Sequence, residues 1–448
     1  MDLLEKIFEA GVVGAGGAGF PTHVKLNCKV DYLIINGSEC EPLLKTDQYL
    51  MKTKAENIVE SIEEIAKVVG AKKAIIGLKK KYKIQIESLK KAIRDLNSSV
   101  ELHLMDNFYP AGDEQILVYE ITKRVIPPSG IPLNVGVVVS NIETVANIYR
   151  AMNDKPVIHR HVSMVGMVKQ PMILKVPIGT LISKCIYEAG GALIDDYSII
   201  LGGPMMGKIF DKDELDEMTI TKTTGAIIIL PKDHYIINRS KTSIEHILNR
   251  ATSACIQCSY CTDFCPRHLI GHPLKPHKIM RAVAFSDFND SVKTAQLCCE
   301  CGVCELYVCP MGLSPKTVNI YLKEMMREKG IKYANESKET SALEERDFRK
   351  VPVNRLISRL ELNEFVHQNV HDLKEINVSE VNISLKQHIG APASPVVSVG
   401  DTVEKGQLIG AMKEGELGAN VHASIDGKVI EVSNKITIKS ESFEVIEE

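Results

Sequence analysis

Eight of the twelve cysteines fall in two short runs, Cys255-x2-Cys258-x2-Cys261-x3-Cys265-Pro266 and Cys298-x2-Cys301-x2-Cys304-x4-Cys309-Pro310. Three thiolates two residues apart on a tight loop can take three corners of one cubane [4Fe–4S] cluster, and the fourth corner must be filled from farther away. The region therefore reads as helices joined by cysteine loops around two clusters, and electron transfer is the chemistry it implies. Zinc sites also use CxxC pairs, but they take two short pairs and not two triplets each closed by Cys-Pro. Cys299 stands beside Cys298 as a rival ligand, and the CxxCxxC spacing selects Cys298. The second run carries one extra residue before Cys309, which marks one cluster as the more labile.

The runs are similar to those of two-cluster ferredoxins, in which the cysteine before proline crosses to the other cluster. That resemblance implies one ligand set of Cys255, Cys258, Cys261 and Cys309, and a second of Cys298, Cys301, Cys304 and Cys265. The other four cysteines, Cys28, Cys40, Cys185 and Cys299, are scattered, which fits a reducing compartment better than a disulfide framework. No run of 18 apolar residues occurs, Met1–Glu5 lacks the form of a signal peptide, and a net charge of −3 argues against nucleic acid as a partner. A soluble intracellular protein is expected.

The 448 residues are read as a multidomain α/β chain. Strand candidates Tyr32–Ile35, Ala74–Leu78, Val100–Leu104 and Val135–Val139 alternate with helical periodicity over Gln48–Val69, Lys83–Leu96, Gly112–Lys123 and Glu143–Met152, the pattern of a mostly parallel sheet. Short strands at Val162–Val168, Val176–Pro177 and Ser198–Gly203, with one helix at Leu181–Ala189, form a small α+β module. A charged helical stretch, Lys323–Glu345, leads to a strand-and-turn segment like a lipoyl or biotinyl sandwich. The expected divisions are an α/β flavin-binding domain (1–155), a β-grasp-like module (156–235), a helical ferredoxin-like two-cluster domain (243–320), a helical linker (321–372) and a barrel-sandwich hybrid (373–448). Ala411-Met412-Lys413 begins like a biotin acceptor, but the hairpin to Gly427 is too long for one, and an extended loop packed on another domain is expected. The histidines, among them His268, His272 and His422, read as core or surface residues.

Gly14-Ala15-Gly16-Gly17-Ala18-Gly19 contains a G-x-G-x-x-G, but Leu3, Leu4, Ile7 and Phe8 before it are spaced as a helix face. The dinucleotide fingerprint needs a strand there, so it fails in context. The loop leads instead into a strand, and its glycines either let backbone N–H groups approach a phosphate or flat ring, or form a tight structural loop. The acidic stretch Asn36-Gly37-Ser38-Glu39-Cys40-Glu41-Pro42 follows at the carboxyl end of the first strand, where ligands of open α/β sheets bind.

With Tyr109–Glu114 and Ser140–Thr144, these segments resemble, in order, the FMN- and NADH-binding subunit of respiratory complex I. The resemblance implies that Gly14, Gly16, Gly17 and Gly19 line the flavin and that Lys25 meets its phosphate or ring. Asn36, Asn141 and Thr144 would bond the isoalloxazine or phosphate. Glu39 and Glu41 would orient the nicotinamide side, with Asp113 and Glu114 near the NADH. Ser38 replaces an aspartate usual in that family, which bears on flavin contact or nucleotide preference.

Over its whole length the chain resembles the RnfC group, and in its domain order the PduS-type cobalamin reductases of propanediol-utilising microcompartments. That likeness implies FMN, two [4Fe–4S] clusters, NADH as donor and cobalamin, or a cobalamin-handling adenosyltransferase, as partner. It implies a cytoplasmic place, inside a bacterial microcompartment in that family's setting. The alternative is an electron-transfer subunit of an Rnf-like or proline-reductase-associated system with a protein acceptor.

Overall fold

The computed structural model describes residues 1–284, 289–334, 340–370, 372–413 and 415–440. In the first region, β-branched runs form Tyr32–Asn36 (β1), Lys73–Lys79 (β2), Glu101–Met105 (β3) and, after the short Phe108–Tyr109 (β4), Val137–Asn141 (β5). The sheet order is β3-β2-β1-β5 and every pairing is parallel. Strand order reverses between β1 and β5, so the crevice at their carboxyl ends is the place where such a sheet takes a ligand. Helices Thr46–Thr53, Ala55–Val69 and Ile142–Met152 cover one face and bury Leu50, Ile58, Ile62, Ile65 and Ile148 there.

Three expectations change here. The stretch Gln48–Val69 is two helices, because the chain breaks at Lys54 between Thr53 and Ala55. A five-residue helix, Thr22–Leu26, stands between the glycine loop and β1, and it carries Lys25. The charged stretch Lys323–Glu345 is helical only to Glu328, where Gly330 at φ +66° turns the backbone into the left-handed region that stops helices. Part of its remainder, 335–339, lies outside the described residues.

The second sheet contains His159–Gly166 (β6), Met172–Pro177 (β7), Tyr197–Leu201 (β8), Lys208–Asp211 (β9) and Ala226–Pro231 (β10). Its order is β12-β7-β6-β10-β8-β9, where Leu373–Glu375 (β12) arrives from far along the chain as an edge strand. Val351–Pro352 (β11) likewise returns to pair with β4 in a separate two-stranded sheet, so the segment after the cysteine runs ties back to the first region as well as to the second sheet. Short helices Ile244–Ala254, Tyr260–Asp263, Pro266–Leu269 and Pro276–Ala284, with Pro315–Glu328, enclose the cysteine loops around Ile247, Ile279, Val318 and Leu322. The last region is two small sheets of four and three strands. Its loop before Val421 packs inward: Lys222 Nζ donates to the carbonyls of Asn420 (2.6 Å) and Gly11 (2.7 Å), while Lys413 stays exposed. No described helix is long and apolar enough to cross a membrane.

Candidate functional site

The register of β1 against β5 places Asn36 opposite Asn141, so two of the sequence candidates are neighbours at the crevice. The glycine loop closes above them through a Val13–Pro21 bridge and a Gly14 N–H bond to the Phe20 carbonyl at 2.9 Å. A Cβ on Gly16 would meet the Asn141 side chain at 3.0–3.1 Å, whereas one on Gly17 would meet nothing within 4 Å. Gly17 thus borders open space beside the crevice, which is the form of a cradle for a flat ring.

The polar candidates mostly build this cradle. Asn36 Nδ2 donates to the Gly112 carbonyl (2.9 Å), and its oxygen accepts the Ser38 N–H and hydroxyl (3.1 Å each). Ser38 is fully buried behind it and is part of the scaffold, not of the rim. Asn141 caps its helix through the Glu143 N–H and donates to Asp47 at 2.9 Å. The Thr144 oxygen accepts the Ala15 N–H at 2.8 Å and so holds the loop from a buried position. Lys25 pairs with Glu114 at 2.7 Å, half-buried at the rim. Asp113 caps the helix Glu114–Thr122 and binds Arg267 of the cysteine region at 2.9 Å, because a buried guanidinium needs a carboxylate partner.

Glu39 accepts the Glu41 N–H at 2.9 Å. Glu41 accepts the Met205 N–H (2.9 Å) and lies 3.3 Å from the Tyr109 hydroxyl, and burial, reinforced by Glu39, pushes its carboxyl up to about 8. Burial raises Glu39 as well, and it lowers Lys79 beside the pair.

The eight cysteines line two cavities. Cys255, Cys258, Cys261 and Cys309 surround the outer one, with Ile256 and Met311 at its mouth. Cys265, Cys298, Cys301 and Cys304 surround the inner one, and Cys299 lines it too. The cysteine before each proline therefore lies with the opposite run. The extra residue ahead of Cys309 is absorbed by a π-helical turn over Val303–Tyr307, which adds one residue per turn without diverting the chain. Burial pushes the thiols of Cys265 and Cys304 up, and a bound cation would favour their thiolates. Sulfur also meets donors in place: Gln257 Nε2 on Cys255 (3.1 Å), Leu313 N–H on Cys309 (3.3 Å) and Glu300 N–H on Cys298 (3.4 Å).

One residue joins crevice and cavity. Tyr109, 1% exposed, donates its hydroxyl to the Cys301 carbonyl at 2.7 Å while it touches Glu41. Sequence reading missed this link, and it missed Arg160. The Arg160 guanidinium is buried, pairs with Glu143 at 2.6 Å and donates to the Ala15 carbonyl at 2.8 Å, so the second sheet grips the glycine loop. Neither pairing leaves a local sequence signal, since the partners are far apart along the chain.

A parallel-sheet crevice with a glycine cradle, walled against a double cysteine site, defines a flavo-iron–sulfur oxidoreductase. Family models agree segment by segment: the Nuo51 FMN-binding domain over 7–150, the SLBB domain over 161–208, a 4Fe-4S dicluster domain over 254–314 and the RnfC barrel sandwich hybrid domain over 366–447. The cobalamin reductases PduS of Citrobacter freundii and Salmonella typhimurium are 42% and 41% identical, covering 96% and 97% of this chain and 94% and 95% of theirs. The chain belongs to that family, a branch of the RnfC-like proteins, and FMN and [4Fe–4S] clusters are its cofactors. The RnfC-type component of the Na(+)-translocating ferredoxin:NAD(+) oxidoreductase complex of Acetobacterium woodii is 35% identical over 60% of this chain and 58% of its own. The fold also matches a crystal structure of an NAD+-reducing [NiFe]-hydrogenase, with a TM-score of 0.51 and 19% identity over 74% of this chain and 63% of that one.

Proposed function

We propose that this protein is an NADH-dependent reductase that delivers electrons, by way of FMN and two [4Fe–4S] clusters, to the cobalt of cobalamin in support of a cobalamin-dependent enzyme system. The observation that carries this reading is the shared wall at Tyr109. The flavin crevice meets the inner cavity there, while the outer cavity opens to the surface beside Ile256 and Tyr260, 62% and 48% exposed. The names of the two relatives that match nearly the whole chain supply the acceptor, and the Acetobacterium relative's name includes NAD(+).

When bound, FMN supplies the conversion between a two-electron donor and one-electron carriers. The chain's residues do the rest. Gly16 and Gly17 leave room for the ring, and Thr144 and Arg160 hold the loop in place from two sides. Lys25, steadied by Glu114, offers a cation at the rim to the phosphate or the ring. Glu39 and Glu41 face the nicotinamide side, and Glu41 keeps its proton up to about pH 8, which spares the inner cavity an extra negative charge. Cys255, Cys258, Cys261 and Cys309 hold the outer cluster, and Cys265, Cys298, Cys301 and Cys304 the inner one. Exposed Ile256, Tyr260 and Met311 make an apolar rim that a corrin face can cover without a dedicated pocket. A cobalamin-handling adenosyltransferase as partner and a microcompartment as location belong to the same proposal.

The test is anaerobic reconstitution with iron, sulfide and FMN, followed by NADH oxidation with cob(III)alamin as acceptor. Bleaching of flavin and clusters with reduction of cobalt is expected. Bleaching with cobalt left oxidised would point to a protein acceptor, a reading the same apolar rim also suits. If NADH bleaches neither, the reductase reading fails.

A further inference from the structure

We propose that Asn319 is a positioning residue for the inner [4Fe–4S] cluster, donating its amide N–H to the Cys298 sulfur or the adjoining cluster edge and holding the cluster's reduction potential up. The proposal rests on the dicluster assignment and is independent of the electron acceptor.

The first support is position. Asn319 lies on the helix Pro315–Glu328, whose buried face otherwise consists of Pro315, Val318, Leu322 and Met326. A polar residue in an apolar stripe is out of pattern unless something pairs it. Asn319 is 1% exposed, and neither its amide nitrogen nor its oxygen has a protein hydrogen-bond partner.

The second support is direction. The side chain lines the inner cavity with Cys265, Cys298, Cys301 and Cys304, and its amide stands beside Cys298. Thiolate and sulfide sulfurs only accept hydrogen bonds, so the nitrogen is the atom that can pair once the cluster is in place. The two nearby lysines are committed elsewhere. Lys316 Nζ donates to the Met205 carbonyl (3.2 Å), and Lys323 Nζ binds the Cys298 carbonyl (2.6 Å) and Glu300 (2.5 Å). Arg267 pairs with Asp113 through Nη2 (2.9 Å) and keeps an unpartnered Nη1 on the Cys299 side, whereas the Asn319 amide is the unspent donor on the Cys298 side.

The consequence follows from charge. A one-electron reduction adds negative charge that spreads over the cluster sulfurs, so a donor aimed at them stabilises the reduced form more than the oxidised one. The outer cavity has its own amide donor in Gln257, at Cys255, so the two clusters are tuned by different side chains.

The experiment is an EPR-monitored redox titration of the reconstituted holoprotein and of Asn319→Leu, which keeps the volume and removes the donor. The expected result is full iron content, an unmoved outer cluster and an inner midpoint lowered by about 59 mV, the equivalent of a tenfold loss of reduced cluster at fixed potential for one electron. A fully loaded Asn319→Leu protein with both midpoints unchanged, or with both moved equally, overturns the proposal. If Asn319→Leu does not load, pulsed EPR on the unsubstituted protein labelled with 15N-asparagine decides. A 15N coupling to the reduced inner cluster supports the proposal, and its absence overturns it.

Discussion

The two cysteine cavities come from nearly the same sequence run, yet they sit in opposite surroundings. In the inner set Cys265, Cys301 and Cys304 are 7–8% exposed, and Cys301 joins a core with Met205, Leu306 and Val353. The outer set is half-buried throughout, with exposed Ile256 and Tyr260 alongside. Spacing decides that a cubane can form; what packs on the loop decides which neighbour it can serve. The inner set is covered because Gly202–Met205 and the strap through Val351 close over it, whereas the outer set is left at the helix ends.

The largest expected effects come from breaking one set at a time. Cys301→Ser should lower iron from about eight to about four per chain and stop NADH from bleaching the outer cluster. Cys258→Ser should lose the same iron but leave flavin and inner cluster reducible, with acceptor reduction abolished. Iron analysis and anaerobic absorbance check both, and equal behaviour of the two variants would erase the inner–outer distinction.

Arg267→Met comes next. It strands Asp113 at the joint between the flavin sheet and the inner cavity, and losing one partner of a buried pair costs roughly 3–5 kcal/mol. Differential scanning calorimetry should show a lowered Tm. The matching change on the outer side, Arg250→Met, removes only partly exposed bonds to the Met311 and Gly312 carbonyls and should cost about 1 kcal/mol.

Gly17→Val should fill the open space of the cradle and lower FMN retention about tenfold, a loss of about 1.4 kcal/mol. Clusters should load normally, which fluorescence of released flavin and iron analysis together would show.

A last effect, which burial of Glu41 spreads over several pH units, concerns pH. Glu41 titrates near 4.5 unfolded and about 8 folded, so between these values the native state holds a proton that the unfolded chain has lost. Its contribution to stability is therefore full below pH 4.5 and declines as pH rises through 8. Glu41→Gln should flatten that decline in Tm measured across this range. A slope unchanged by the substitution would remove Glu41 from the account.

Much of the first sheet is legible in the sequence because strand periodicity is local: Tyr32–Ile35 is expected where Tyr32–Asn36 forms, and Ala74–Leu78 where Lys73–Lys79 forms. The second sheet is half legible. Ala226–Pro231 is a continuous apolar run that reads equally as strand or helix, and β12 is exposed on every residue, so pairing alone makes it a strand. In the site, the expected asparagines meet across β1 and β5, but their amides are spent on Gly112, Asp47 and the loop around them. Asn319 does leave a trace, as the polar member of an apolar helical stripe, though the stripe does not say what it faces.

By itself, then, the sequence determined the cofactor class and the local elements, because ligand spacing, glycine clusters and apolar period act within a few residues. Only the tertiary structure decided which cysteine cavity is inner, that Tyr109 joins it to the acidic stretch after β1, and that Arg160 holds the glycine loop and Lys222 the Gly11 turn before it. Those outcomes depend on groups 145 to 211 residues apart along the chain. Burial and hydrogen-bond satisfaction select such partners once the sheets, helices and strap are packed, and no local pattern encodes them.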